Sequence, residues 1–190
     1  MSQPARPAVF LDRDGTVSEE VGYVRNTSMF ALFPWASRAI RQINESGMAA
    51  VLVTNQSAVG RGFIEHAMVD KVHAILRDEI AREGARLDGI YYCPHHPDDD
   101  CECRKPRPGL LQRAGRDLDL GLTRSFMIGD HYTDIRAGRA VGAVTILVLT
   151  GAGAGQLEQH QAADVQPDFV VPALDDAVRL ILERHSETSE

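Results

Sequence analysis

The sequence predicts an α/β protein built on a doubly wound, mostly parallel sheet. Three observations carry that expectation. Short apolar runs alternate with segments of helical periodicity along the chain. Several of those runs stop abruptly at polar residues, as strands do where an open α/β sheet places its ligands. The length of 190 residues suits one domain with a sizeable core.

The elements follow in order. Ala8 to Leu11 reads as a buried strand that ends at acidic residues. Trp35 to Ser46 has helical spacing, with Ala39, Ile40 and Ile43 on one side and Gly47 as its stop. Ala49 to Val53 is a second apolar run, closed by Thr54, Asn55 and Gln56. Glu65 to Glu83 is an amphipathic helix whose stripe is Val69, Val72, Leu76 and Ile80. Ile90 to Tyr92 is a weaker strand, and Pro108 opens a helix through about Leu118. Phe126 to Ile128 is a strand ending at Gly129 and Asp130, with a helix from Ile135 to Val141 behind it. Thr145 to Leu149 is the next strand. The glycine-rich TGAGAGQ after it does not fit a dinucleotide fingerprint and reads as a flexible loop. Phe169 to Val171 and Leu174 to Glu183 close the alternation, and the tail HSETSE is expected to fray.

Composition limits the function. Hydrophobic residues make up 44% and charged residues 25%, the proportions of an ordinary globular protein. A net charge of -7 argues against a general nucleic-acid binder, yet allows a small phosphorylated substrate at a local basic spot. No run of about 18 apolar residues occurs, so no membrane span is expected. The stretch MSQPARPAVF lacks the apolar core of a secretory signal. A cytoplasmic monomer is the expectation.

Four predicted strand ends carry polar groups: Asp12 and Asp14, then Thr54, then the stretch up to Lys105, then Asp130 and Asp134. Asp12, Asp14 and Asp130 would make a hard, oxygen-rich site that suits magnesium. Thr54 offers a hydroxyl donor and Lys105 a compact cation. Donors and cations around a metal are what phosphoryl transfer requires. Asp134, four residues after Asp130, fits either a supporting partner of that site or a carboxylate favoured at a helix N-terminus.

DRDGT, VTNQS, RKP and GDHYTD, in that order, resemble the four motifs of the haloacid dehalogenase superfamily of phosphatases. The resemblance runs from Val9 to about Val171. It implies a Rossmann-like core and assigns roles. Asp12 would be the nucleophile and Asp14 the general acid and base. Thr54 and Lys105 would hold the phosphoryl group. Asp12, the main-chain carbonyl of Asp14, and Asp130 would hold magnesium. The segments between motifs are too short for a cap domain, so residues 17–33 and the cysteine loop would wall the site.

All three cysteines lie in YYCPHHPDDDCECRKP. In a reducing compartment such a cluster points to metal rather than a disulfide. Cys93, Cys101 and Cys103 with one imidazole make a closed tetrahedral zinc set, structural rather than catalytic. His95 and His96 both stand near. Within the superfamily the loop is similar to that of sugar-bisphosphate and histidinol-phosphate phosphatases, and that resemblance implies His95. It also implies a small phosphorylated sugar, or another small phosphate ester, as substrate. Two departures stand out: His131 where relatives often carry Lys, and a five-residue spacer between His95 and Cys101. A second phosphate would need guanidinium contacts, for which Arg104 and Arg61 are candidates. Asn55, Gln56 and Arg25 are candidates for sugar hydroxyls.

Overall fold

The computed structural model describes residues 5–187. Six strands form one sheet: β1 (Ala8–Leu11), β2 (Ala49–Asn55), β3 (Gly89–Cys93), β4 (Phe126–Gly129), β5 (Val144–Val148) and β6 (Phe169–Val171). Seven helices separate or follow them: α1 (Ala36–Glu45), α2 (Ser57–Gly60), α3 (His66–Arg82), α4 (Gly109–Asp117), α5 (Tyr132–Ala140), α6 (Gly153–Gln159) and α7 (Leu174–Glu187). The strand order is β3-β2-β1-β4-β5-β6, and all pairings are parallel. The chain winds outward from β1 to β3, then crosses to β4 on the other side of β1. That reversal leaves a crevice beyond the carboxyl ends of β1, β2 and β4.

Apolar side chains cover both faces of the sheet, which is why its strands read as continuous apolar runs. Along β1, Val9 and Leu11 join the core under α1, α3 and α7, while Phe10 and Ala8 join the core under α4. Helix α1 buries Ala39, Ile40 and Ile43, and Gly47 follows it at φ 85°, as a C-terminal stop requires. Helix α3 buries the expected Val69, Val72, Leu76 and Ile80, and also His73.

Several expectations need correction. TGAGAGQ is not a flexible loop, because α6 begins at Gly153. Gly151 and Gly153 lie where a Cβ would collide with Asp130, Gly15 or the Val148 carbonyl, so this turn is packed against the sheet. Helix α5 starts three residues before the expected Ile135. His131 and Asp134 form a capping box that satisfies its first N–H groups. Helix α2 and the 3-10 turn Thr27–Met29 went unforeseen. Helix α7 runs through Glu187 into the tail expected to fray; Thr188 to Glu190 lie outside the described residues. No helix among the described residues is long and apolar enough to cross a membrane.

Candidate active site

Each strand end delivers one part of the site. Asp12 directly follows β1, and its N–H bonds the Ile128 carbonyl at 3.0 Å, extending the ladder one residue past the strand. The chain then folds into a tight turn. The Arg13 carbonyl accepts from Val17 and Ser18, both at 2.9 Å. Gly15 sits in the turn at φ 79°, and any Cβ there would enter the Asp130 carboxylate. Thr54 lies in β2, 1% exposed, and Asp130 is the first residue after β4, 4% exposed.

Lys105 links these ends. Its ammonium, 2% exposed, meets Asp12 Oδ1 at 2.9 Å and Asp134 Oδ1 at 2.5 Å, and donates to the Val53 carbonyl at 2.8 Å. Burial works against its charge, but the two carboxylates outweigh burial and hold its pKa above the usual lysine value. Asn55 fixes the Lys105 backbone from both sides: its Oδ1 accepts from the Lys105 N–H at 3.1 Å and its Nδ2 donates to the Lys105 carbonyl at 3.0 Å.

One oxygen of each of Asp12, Asp130 and Asp134 lies within 4.8 Å of the others. Among the described residues no cationic side chain forms an ion pair with Asp130; the Ala152 N–H donates to its Oδ2 at 2.8 Å. Burial, helped by the charges of Asp12 and Asp134, pushes its pKa up to about 8. Asp134 is raised to about 7, again by burial, with Lys105 opposing. Carboxylates crowded in this way, two of them buried, present the kind of oxygen donors that a hard cation takes. Asp134 stands in the first turn of α5, where one of its two expected readings placed it. It caps α5, its Oδ2 accepting from the His131 N–H at 3.2 Å, and it pairs with Lys105.

Asp14 turns its carboxylate away from this cluster. Arg13 clasps both its oxygens, Nε to Oδ1 at 2.9 Å and Nη2 to Oδ2 at 2.8 Å. Gln56 donates from Nε2 to Asp14 Oδ2 and to Thr54 Oγ1, both at 2.9 Å. Asp12, Asp14, Thr54, Lys105 and Asp130 all line one open cleft of about 410 Å³.

The cysteine loop closes on itself beside the cleft. Cys93 Sγ lies 3.5 Å from Cys101 Sγ and from His95 Nδ1; Cys103 Sγ lies 3.1 Å from His95 Nδ1 and 3.6 Å from Cys101 Sγ. Two sulfurs bound to one zinc at ~2.3 Å are about 3.8 Å apart, so the four atoms fit a tetrahedral ion. His96 is otherwise engaged: its Nδ1 accepts from the Asp98 N–H at 3.2 Å. Burial raises the Cys93 thiol, a penalty that a bound cation would reverse.

Comparison with known proteins agrees with this geometry. A family model described as HAD-hydrolase-like matches residues 102–177. The D-glycero-beta-D-manno-heptose-1,7-bisphosphate 7-phosphatase of Photorhabdus laumondii is 41% identical over 84% of this chain and 88% of that protein. The D-glycero-D-manno-heptose-1,7-bisphosphate 7-phosphatase of Thermosynechococcus vestitus is 38% identical over 93% of this chain and 95% of its own. The chain belongs to the HAD-like hydrolases. Within that family it is a phosphatase, a hydrolase of phosphoric monoesters. The crystal structure of the D,D-heptose 1,7-bisphosphate phosphatase from B. bronchiseptica, complexed with magnesium and phosphate, superposes with a TM-score of 0.86. It is 30% identical, covering 94% of this chain and 99% of that one.

The five residues expected to touch substrate fare differently in this phosphatase. Arg104 lines the cleft, and its Nη1 is buried with no hydrogen-bond partner among the described residues. Asn55 and Gln56 line it too, but their amides hold Lys105, Asp14 and Thr54 in place. Arg61 and Arg25 are not among the residues lining the cleft; the Arg25 guanidinium instead lies 4.8 Å from the Phe63 ring centroid. Of the walls expected from residues 17–33, Glu20, Gly22 and Tyr23 reach the cleft. Arg13 escaped sequence reasoning. An arginine between two aspartates reads as a solvated charge, whereas the fold surrounds it with Asp14, Gln56, Phe30 and His73.

Proposed function

We propose that this phosphatase removes the 7-phosphate of D-glycero-D-manno-heptose 1,7-bisphosphate, in the synthesis of nucleotide-activated heptose and lipopolysaccharide precursors. The names of the relatives support the substrate, as does the likeness of the zinc loop to heptose-type sugar-bisphosphatases. The observation that carries the chemistry is Asp12 Oδ1, held 2.9 Å from the Lys105 ammonium at the mouth of a cleft that also receives Asp14.

In this reading Asp12 attacks phosphorus, and the bond from phosphorus to the sugar oxygen breaks as Asp14 gives that oxygen a proton. Asp14 then takes a proton from water, whose oxygen attacks the aspartyl-phosphate and frees Asp12. Thr54 donates its hydroxyl to a phosphoryl oxygen, its own lone pair being taken by Gln56. Lys105 lies against the charge that spreads over the transferring oxygens. Magnesium, held by Asp12, Asp130 and the main-chain carbonyl of Asp14, supplies further positive charge there when bound. Arg104, with its unpartnered Nη1, takes the distal phosphate. Cys93, His95, Cys101 and Cys103 hold zinc that folds the loop and does no chemistry. The whole works as one domain and a monomer in the cytoplasm, where thiols stay reduced.

Replacing the nucleophile, Asp12→Asn, should lower turnover by about 10³-fold or more. Unchanged turnover would rule out the covalent route. Both heptose bisphosphate anomers, histidinol phosphate and a simple alkyl phosphate, assayed side by side, decide the substrate. Comparable turnover of histidinol phosphate would move the assignment to that ester.

A further inference from the structure

Arg13 is the largest of the fully buried side chains, 1% exposed. A guanidinium carries five N–H donors and no acceptor, so its burial demands acceptors on several sides. Two sides are filled by Asp14, whose carboxylate it grips with Nε and Nη2. Nη2 also donates to Gln56 Oε1 at 2.9 Å. The third side faces α3: Nη1 stands 3.4 Å from Nε2 of His73, a long hydrogen bond. The Phe30 ring centroid lies 6.0 Å from the guanidinium carbon.

His73 is 5% exposed and packs edge-on against Tyr92, ring centroids 5.6 Å apart. Burial, with Arg13 and Arg77 beside it, takes its pKa down to about 3. The ring is therefore neutral at working pH. Since Arg13 can only donate, Nε2 is the acceptor and Nδ1 carries the ring proton. A buried histidine on an otherwise apolar helical stripe is commonly a satisfied core residue. Here its partner is the side chain that bonds both oxygens of Asp14.

We propose that His73 and Arg13 form a positioning relay for Asp14. The ring fixes the plane of the guanidinium, and the guanidinium fixes where the carboxyl stands relative to the leaving oxygen. This rests on the reading of Asp14 as proton donor and acceptor. Neither Arg13 nor His73 is among the residues lining the cleft, so both are positioning residues. A misplacement of about 1 Å at a reacting group costs on the order of 10²-fold. The relay therefore matters most where the proton is needed most.

Leaving-group dependence tests this. A sugar or alkyl alkoxide needs a proton in order to leave, whereas p-nitrophenolate leaves without one. The ratio kcat/KM reports steps through leaving-group departure, so it isolates the acid role. For His73→Leu, kcat/KM on an alkyl phosphate should fall about 10-fold and on p-nitrophenyl phosphate less than about 2-fold. His73→Gln, which keeps an acceptor, should restore most of the loss. Arg13→Lys should show the same asymmetry more strongly, and His73→Leu serves if that variant folds poorly. Equal losses on both esters, or none on either, would overturn the relay. Asp14→Asn runs alongside. If it spares alkyl phosphate turnover, the acid role of Asp14 itself is wrong. If it cripples turnover while His73→Leu does not, only the relay is wrong.

Discussion

Lys105 has almost no contact with solvent and two carboxylates in reach, buried Asp134 and partly buried Asp12. Its charge is therefore as much a structural requirement as a chemical one. Without it, Asp134, wholly buried, would face Asp12 with no cation between them. Removing one partner of a buried ion pair costs about 3–5 kcal/mol. Lys105→Met should approach that loss at pH 8. At pH 5 Asp134 can take up a proton and become neutral, so the loss should shrink. The sign follows from linkage: a carboxyl whose folded pKa is raised stabilises the fold at low pH and stops doing so as pH rises. Urea unfolding of both proteins at the two pH values measures it, and a pH-independent difference would show that Asp134 does not titrate in the variant.

At the scale of elements, the segment from Cys93 to Lys105 joins the Cys/His cluster to the lysine proposed to hold the phosphoryl group. Cys93 closes β3, His95 and His96 press their backbone on Gly60 of α2, and Asn55 at the end of β2 grips the Lys105 backbone. The loop has little apolar content, so bound metal should supply most of its order. Cys103→Ser should cut the zinc content well below about one per chain. Hydrogen exchange should rise over residues 93–107 and stay unchanged in β1 and α1. Turnover should drop about 10-fold through loss of Lys105 placement. Asn55→Ala should reproduce the drop in turnover with zinc retained; full activity in that variant would break the link from loop to lysine. Much of this element was legible in the sequence, because three cysteines and a histidine at such spacing are a strong signal. The helix α6 was not legible. Its glycines disfavour helix, yet Gly153 at its start and Gly151 just before it pass close to the Val148 carbonyl and to Asp130. That is a tertiary demand with no local signature. For the same reason nothing in NQ announces that the Asn55 amide also holds the Lys105 backbone and the Gln56 amide also holds Asp14.

The whole molecule places its site on a seam. Asp12 follows β1, the first strand of the half that winds to β3; Asp130 and Asp134 follow β4, the first strand of the half that winds to β6. Alternating apolar runs made that sheet readable from sequence, because strands buried on both faces carry few polar residues except where they end. Less readable was how crowded the seam is. With no cation bound, burial and mutual repulsion raise Asp130 to about 8 and Asp134 to about 7, against 3.8 for an ordinary aspartate. Between these values the folded protein holds protons that the unfolded chain has released. Metal-free stability from these groups is thus complete below pH 4 and lost as pH rises toward 8. His73 works in the opposite sense, its folded pKa depressed to about 3, so it removes stability as pH falls below about 6.5. A metal-free melting curve mixes the two, and only a difference separates them. Magnesium must displace the protons on the seam carboxylates but does not touch His73. Its stabilisation should therefore grow with pH. At 100 times its dissociation constant a ligand adds about 2.7 kcal/mol, worth about 5–10 °C in Tm for a chain of this size. At one fixed magnesium concentration that saturates the protein at pH 8, the Tm gain should be of that order at pH 8. It should fall below about 2 °C at pH 5.5 as protons compete for the seam. A gain that stays constant across this range would mean that the cation is held by groups other than the crowded carboxylates of Asp12 and Asp130.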